Sequence, residues 1–250
     1  MINRFSRTET LIGKDALNRL KNSKVAVFGL GGVGGYVAET LARAGIGALD
    51  LIDNDTFSIT NINRQILATE KTLGLYKVDV AKERVLDINP DCKVRVYKTF
   101  FLPETKDLFD FKEYDYVVDA IDTITGKKEI ILCAKEAGVP VISSMGTGNK
   151  LNPVSLRIAD IYETSVCPLA KVMRGLCRKN GIESLKVVYS EEKPTRHENV
   201  GEEESSEEFD GENKKPRKDT PASMPFVPAA AGIMLASEVV KDLIFGVKDK

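Results

Sequence analysis

Gly29-Leu30-Gly31-Gly32-Val33-Gly34 has the spacing with which a chain wraps a phosphate. Gly29 permits a tight turn, Gly31 with Gly32 beside it lets the backbone approach an anion, and Gly34 lets a helix pack closely on the preceding strand. A helix opening here offers free N–H groups to that anion. Asp53, ending the next apolar run, is placed to accept hydrogen bonds from a ribose. These residues alone fit NAD as well as ATP. The polar stretch from Asp53 to Gln65 separates the two, because it gathers Asp55, Asn61, Arg64 and Gln65 in one loop, with Lys77 following. Hydride transfer has no need of such cationic chemistry, whereas a triphosphate under attack does. The plainer alternative is a surface loop held by ion pairs. Asp119-Ala120-Ile121-Asp122 ends a later apolar run. Asp122 is expected to face the phosphates and hold Mg²⁺, and Asp119 to be a satisfied strand-end residue.

What the chain lacks narrows the chemistry further. Its one histidine, His197, lies in a charged stretch, and Cys92, Cys133, Cys167 and Cys177 form no C-x-x-C pair. A Ser–His nucleophile, a His-ligated metal or a structural zinc has little to draw on. Catalysis is therefore expected to rest on Arg, Lys, Asp and a bound ion. With 36 basic and 37 acidic residues the whole chain is no obvious polyanion binder, which leaves room for a local basic face. No apolar run is long enough to span a bilayer, and Met1–Phe5 lacks the apolar core of a secretion signal. A cytoplasmic protein without membrane contact is expected.

The elements that must position these residues follow from periodicity. Lys14–Leu20 reads as a short helix. Lys24–Phe28 and Ala48–Asp53 read as strands around a helix from Val33 to Ala44 that stops at Gly45. Helices are expected over Lys77–Asp87 and Lys127–Ala137, with strands at Lys93–Tyr97, Tyr116–Ala120 and Val139–Ser143. Val154–Ile158 and Leu185–Tyr189 read as strands flanking a helix at Leu169–Lys179, and an apolar helix covers Ala229–Phe245. The alternation predicts an α/β, Rossmann-like, mostly parallel doubly wound sheet with a smaller irregular C-terminal part. Residues 1–150 would form the ATP-binding domain with an N-terminal helical arm. Residues 151–250 would form a substrate and dimer part returning to the sheet. Its charged segment, 191–223, has too little apolar surface to order itself and reads as a mobile insertion.

The run from Val25 to Asp122 resembles the ubiquitin-activating-enzyme-like superfamily, which includes the bacterial adenylyltransferases of molybdopterin and thiamine synthesis. The matching elements are the glycine loop, Asp53-x-Asp55, Asn61-x-x-Arg64-Gln65, Gly74-x-x-Lys77 and Asp119-x-x-Asp122. The resemblance implies that Asp53 holds ribose, that Asn61, Arg64 and Lys77 bind the triphosphate, and that Asp122 positions Mg²⁺. Arg4-Phe5-Ser6-Arg7 resembles a motif whose last arginine reaches the partner's ATP site, which implies a homodimer with Arg7 acting in trans. Within the superfamily, the chain looks most like the tRNA threonylcarbamoyladenosine dehydratase branch. Further signs are Leu11-Ile12-Gly13, Gly146-x-Gly148 leading to Asn152-Pro153, Cys167-Pro168-Leu169 and Phe226–Glu238. That branch adenylates the threonyl carboxylate of a modified adenosine in tRNA and closes it into a ring with loss of water. It is also associated with a monovalent cation, for which no ligands are identified.

Two other readings remain open at this stage. One is an adenylyltransferase acting on the C-terminus of a ubiquitin-like sulfur carrier, with Cys167 or Cys177 as a thioester-forming thiol and a sulfur-transfer partner. The other is a non-catalytic nucleotide-binding Rossmann protein, which would tolerate loss of Arg64, Lys77 and Asp122. Lys171, Arg174, Arg178, Lys179 and Lys186 cluster in the second part, either as a phosphate-contacting face for tRNA or as a solvated helix face.

Overall fold

The computed structural model describes residues 2–195 and 221–247. Seven strands, β1 (Lys24–Phe28), β2 (Ala48–Ile52), β3 (Lys93–Tyr97), β4 (Tyr116–Asp119), β5 (Val141–Ser144), β6 (Leu156–Asp160) and β7 (Lys186–Ser190), form one sheet. Their order is β3-β2-β1-β4-β5-β7-β6. All neighbours pair in parallel except β6 and β7, which are antiparallel. The described helices are α1 (Ser6–Ile12), α2 (Lys14–Asn22), α3 (Gly34–Ala44), α4 (Lys77–Ile88), α5 (Ile124–Glu136), α6 (Pro168–Lys179) and α7 (Phe226–Phe245). Parallel strands buried on both faces need helices on both faces. One core joins α2, α3, α4 and α7 to the sheet through Leu20, Val37, Leu41, Val78, Leu235 and Val239. The other joins α5 and α6 to it and adds an aromatic group in which Phe28 stacks on Phe111 at 5.7 Å and meets Phe101 edge-on at 4.9 Å.

The expected α/β architecture holds, with shifted boundaries that have physical causes. The N-terminal arm is two helices broken at Gly13, whose φ is 86°. α7 begins at Phe226 rather than Ala229, because Pro228 sits in its first turn, where the missing N–H costs nothing. β6 begins at Leu156 rather than Val154, because Pro153 opens a short 3₁₀ turn before it. β7 pairs directly with β5, so the second part of the chain extends the same sheet.

Most of the segment expected to be a mobile insertion, residues 196–220 with His197, lies outside the described residues. Its two flanks converge on Asn149, which adopts a φ of 59°. Thr195 N donates to Asn149 O at 2.8 Å and Asn149 N to Ala222 O at 2.7 Å. Ala222 N donates to Asn149 Oδ1 at 2.8 Å. The Glu192 carboxylate accepts from Leu151 N and Asn152 N, both at 2.8–2.9 Å.

Candidate nucleotide site

β1 lies between β2 and β4, so the chain winds one way from β1 toward β3 and the other way from β4 outward. The crevice beyond the carboxyl ends of β1 and β4 is therefore the switch point at which ligands bind in open α/β sheets. The glycine loop leaves β1 there, and Asp119 to Asp122 leaves β4 there.

The loop glycines answer to different constraints. Gly29 has a φ of 88°, and a Cβ on it would lie 2.8 Å from the Ala120 carbonyl oxygen. A Cβ on Gly34 would fall 1.7 Å from the Gly29 carbonyl oxygen, so strand and helix close up only because no side chain intervenes. A Cβ on Gly32 would meet Pro228 and Arg64 side-chain carbons at 3.3 and 3.6 Å. Packing does not explain Gly31, because a Cβ there would meet only Gln65 Nε2, at 4.0 Å. Its backbone faces open space at the mouth of α3, the side from which an anion would approach.

Asp53 is nearly buried and already employed. Its carboxylate accepts from Leu30 N at 2.6 Å and Asp55 N at 2.8 Å, with Lys77 Nζ 4.0 Å away. Burial pushes its carboxyl above the ordinary aspartate range, and Lys77 and the two backbone N–H groups pull the other way. Lys77, also buried, opens α4 and donates to Asp55 Oδ2 at 2.7 Å. A backbone bond from Lys77 N to Asp55 O and a bridge between Thr56 and Tyr76 tie loop and helix together.

Asn61 and Arg64 sit in the polar loop itself. Asn61 Oδ1 accepts from Ser58 N at 3.2 Å, and Arg64 Nη1 donates to Thr60 O at 2.8 Å and Asn63 Oδ1 at 3.0 Å. Burial lowers the Arg64 guanidinium and the charge of Asp122 opposes that shift, while the Arg64 side chain lies close by Gly32 of the glycine loop. Gln65 is buried, and its Oε1 has no partner among the described residues. A buried polar atom left unmade costs about 1–3 kcal/mol, so this amide, below Gly31, fits a site that a polar ligand completes. The Gly31 opening and the half-buried Arg64 guanidinium fit the phosphates of a nucleotide, while the unmet Gln65 Oε1 calls for a donor such as a hydroxyl or amine. Among the described residues no three His, Cys, Asp or Glu cluster as metal ligands. An exposed Asp122 beside triphosphate oxygens still fits Mg²⁺, which is commonly held by one carboxylate plus phosphate.

Spacing alone did not reveal the support under Asp122. Asp119 is fully buried, pairs with the fully buried Lys127 at 2.9 Å, and accepts from Ser143 Oγ at 2.5 Å. Lys127 Nζ also donates to Ile121 O at 3.0 Å, in the loop that presents Asp122. The signal was present: Lys127 shares the inward face of α5 with Ile130, Ile131 and Ala134, where a solvated lysine has no place. Lys150 was missed likewise. It is buried with its Nζ 2.5 Å from Gly146 O, and burial lowers its ammonium, opposed by Cys167 and Glu192.

The remaining candidates are not brought to this crevice within one chain. Arg7 is exposed on α1. That helix is anchored at the far end of the domain, where Arg4 donates to Ile88 O at the close of α4 and the Phe5 ring lies over Gly45 at the close of α3. Of the basic cluster, Lys186 turns away to Asp242 at 2.6 Å and Glu238 at 3.5 Å, while the other four residues stay together on α6.

The ThiF family model matches residues 5–249. The chain is 44% identical over 253 residues to a tRNA threonylcarbamoyladenosine dehydratase of Bacillus subtilis (strain 168), covering all of this chain and 98% of that one. Its identity to the protein of that name in Escherichia coli (strain K12) is 39% over 171 residues, 68% of this chain and 64% of the relative. The E. coli tRNA N6-threonylcarbamoyladenosine dehydratase solved in complex with AMP superposes with a TM-score of 0.83. The superposition is 31% identical and covers 97% of this chain and 94% of that one. The same enzyme in complex with ATP also gives 0.83, at 30% identity and the same coverage.

Proposed function

This chain belongs to the ThiF family, and from that premise we propose that it is an ATP-dependent tRNA threonylcarbamoyladenosine dehydratase. The observation that carries the reading is full-length identity to a dehydratase of that name, joined to a crevice whose polar groups suit ATP. The threonyl carboxylate attacks the α-phosphorus of ATP, the bond to the pyrophosphate oxygen breaks, and an acyl-adenylate forms. A nucleophile of the same modification then attacks the acyl carbon, and AMP leaves with the carboxylate oxygen. The ring that closes is one water poorer than the starting nucleoside. Because the nucleophile is already tethered to the electrophile, little acid–base machinery is needed, in keeping with a crevice that draws on no histidine of the described residues.

In this proposal Gly29, Gly31, Gly32 and Gly34 cradle the phosphates and Asp53 holds the ribose. Asp55 orients Lys77, Gln65 Oε1 accepts from a donor on the nucleotide, and Asn61, Arg64 and Lys77 take the charge that grows on the transferring nucleotide. Asp122 would hold Mg²⁺, which would supply positive charge against the phosphates. A monovalent cation is carried over from the resemblance, and no residue here is assigned to it. A cytoplasmic setting follows from the tRNA substrate; among the described residues no helix is long and apolar enough to cross a membrane. The two candidate thiols for a sulfur-transfer partner, Cys167 and Cys177, are both buried, and burial raises the Cys177 thiol.

Arg7 serves a partner's site in this reading, within a homodimer. The eleven-residue α3 separates its anchorage from the glycine loop by about 16 Å, so its own crevice is out of reach. Mixing two inactive variants, Arg7→Ala and Asp122→Ala, should restore activity, because a mixed dimer keeps one intact site. Mixtures as inactive as their components remove the trans role.

The deciding experiment is mass spectrometry of tRNA nucleosides after incubation with this protein and ATP. Threonylcarbamoyladenosine should lose one water, with AMP and pyrophosphate released. An adenylate on a small protein partner, with the tRNA unchanged, would establish the sulfur-carrier reading instead.

A further inference from the structure

Helix α6 carries Lys171, Arg174, Arg178 and Lys179 and no acidic residue at all. Helix stability explains only half of this. Arg178 and Lys179 lie in the last turn, where cations suit the helix dipole. Lys171 closes the first turn, where the dipole favours an acid and none is present. Lys171, Arg174 and Arg178 then recur at i, i+3 and i+7, putting like charges along one face with no carboxylate on the helix itself. The adjoining face, Ala170, Met173 and Cys177, is buried against the sheet.

Two of these cations are held in place rather than left to wander. Arg174 donates to the Thr164 carbonyl oxygen at 2.6 Å and to the Thr164 hydroxyl. The Arg178 guanidinium lies 5.4 Å over the Tyr162 ring. Neither contact neutralises the charge, and both lower the entropy lost when an anion binds. Lys171, Arg178 and Lys179 are exposed.

The position of the helix connects it to the crevice. A Cβ on Gly146, two residues beyond β5, would lie 3.7 Å from Leu169 Cβ and 3.9 Å from Cys167 Sγ, so the first turn of α6 abuts the loop at the carboxyl end of β5. From that rim the helix runs back along the sheet for about 18 Å, toward the edge where β7 begins. With a net charge of -1 the chain as a whole attracts no polyanion, so a local face must do so.

We infer that the basic face of α6 is the track on which the phosphate backbone of the tRNA lies as its modified adenosine enters the crevice. This rests on the dehydratase reading above. The test is the salt dependence of tRNA binding by the full-length protein carrying Lys171→Ala, Arg178→Ala and Lys179→Ala together. The control carries Lys14→Ala, Arg19→Ala and Lys21→Ala on α2, on the opposite face of the sheet. Losing three phosphate contacts should reduce the slope of log K against log salt by about two to three and raise KM for tRNA. ATP affinity and the melting temperature should stay as in the unaltered protein, and the control should keep the full slope. An unchanged slope in the α6 variant, or an equal fall in the control, overturns the track. Absence of salt-dependent tRNA binding by the unaltered protein would instead overturn the dehydratase reading.

Discussion

Asp119 and Asp122 stand three residues apart at the end of one strand and meet opposite fates. Asp119 is sealed, with a buried lysine at 2.9 Å and a serine hydroxyl at 2.5 Å. Asp122 is exposed, and its charge is felt by the half-buried Arg64. One carboxylate has spent its bonding capacity inside the fold; the other keeps it for what arrives. Lys127 joins the two fates, because the ammonium that neutralises Asp119 also holds the Ile121 carbonyl in the loop presenting Asp122. The difference teaches that an acidic pair in a motif divides into support and working group according to which member finds a buried cation.

The sharpest way to break this contrast is to remove the sealed cation. Lys127→Met leaves Asp119 buried and unpaired, and should lower unfolding free energy by about 3–5 kcal/mol in a denaturant titration. Adding Asp119→Leu should recover much of the loss, since two apolar groups can replace a buried pair. A single variant as stable as the parent would dissolve the distinction. Asp122→Ala should do the reverse. Its turnover should fall by about 10²–10³, while stability moves by no more than about 0.5 kcal/mol. Full pyrophosphate release with tRNA substrate would strip Asp122 of its role.

The smallest effect concerns Asp53, the carboxylate whose burial raises its pKa. The folded protein holds that proton more tightly than the unfolded chain. The group therefore favours the folded state increasingly as pH falls from the raised value toward the unfolded value near ~3.9. Over the same window nucleotide affinity should decline, because a protonated Asp53 is a poorer acceptor for a ribose hydroxyl. Calorimetric titration of ATP at falling pH checks this, and a loss confined to pH below ~3.9 would contradict it.

Much of the crevice was legible because its parts are local. The glycine loop, Asp53 and the Asn61–Gln65 run each announce themselves by residue type within a few positions, and the βαβ context comes from periodicity. Lys127 was not legible as a partner, since Lys127-Lys128-Glu129 reads as a solvated stretch until its face of α5 is known to point inward. Lys186 misled for the converse reason. It extends a basic cluster in sequence, yet its partner Asp242 is 56 residues away on α7.

The sequence by itself determined the α/β alternation, the glycine loop at a strand end and the set of polar groups around it, because each depends on short-range spacing. Only the tertiary structure decided which cation seals Asp119 and that Gln65 keeps an unmet acceptor. It also decided that Arg7 stands at the wrong end of its own domain and that four of five basic residues share one helix. Those outcomes depend on which distant side chain fills the space beside each group, and burial is a property of the packed whole.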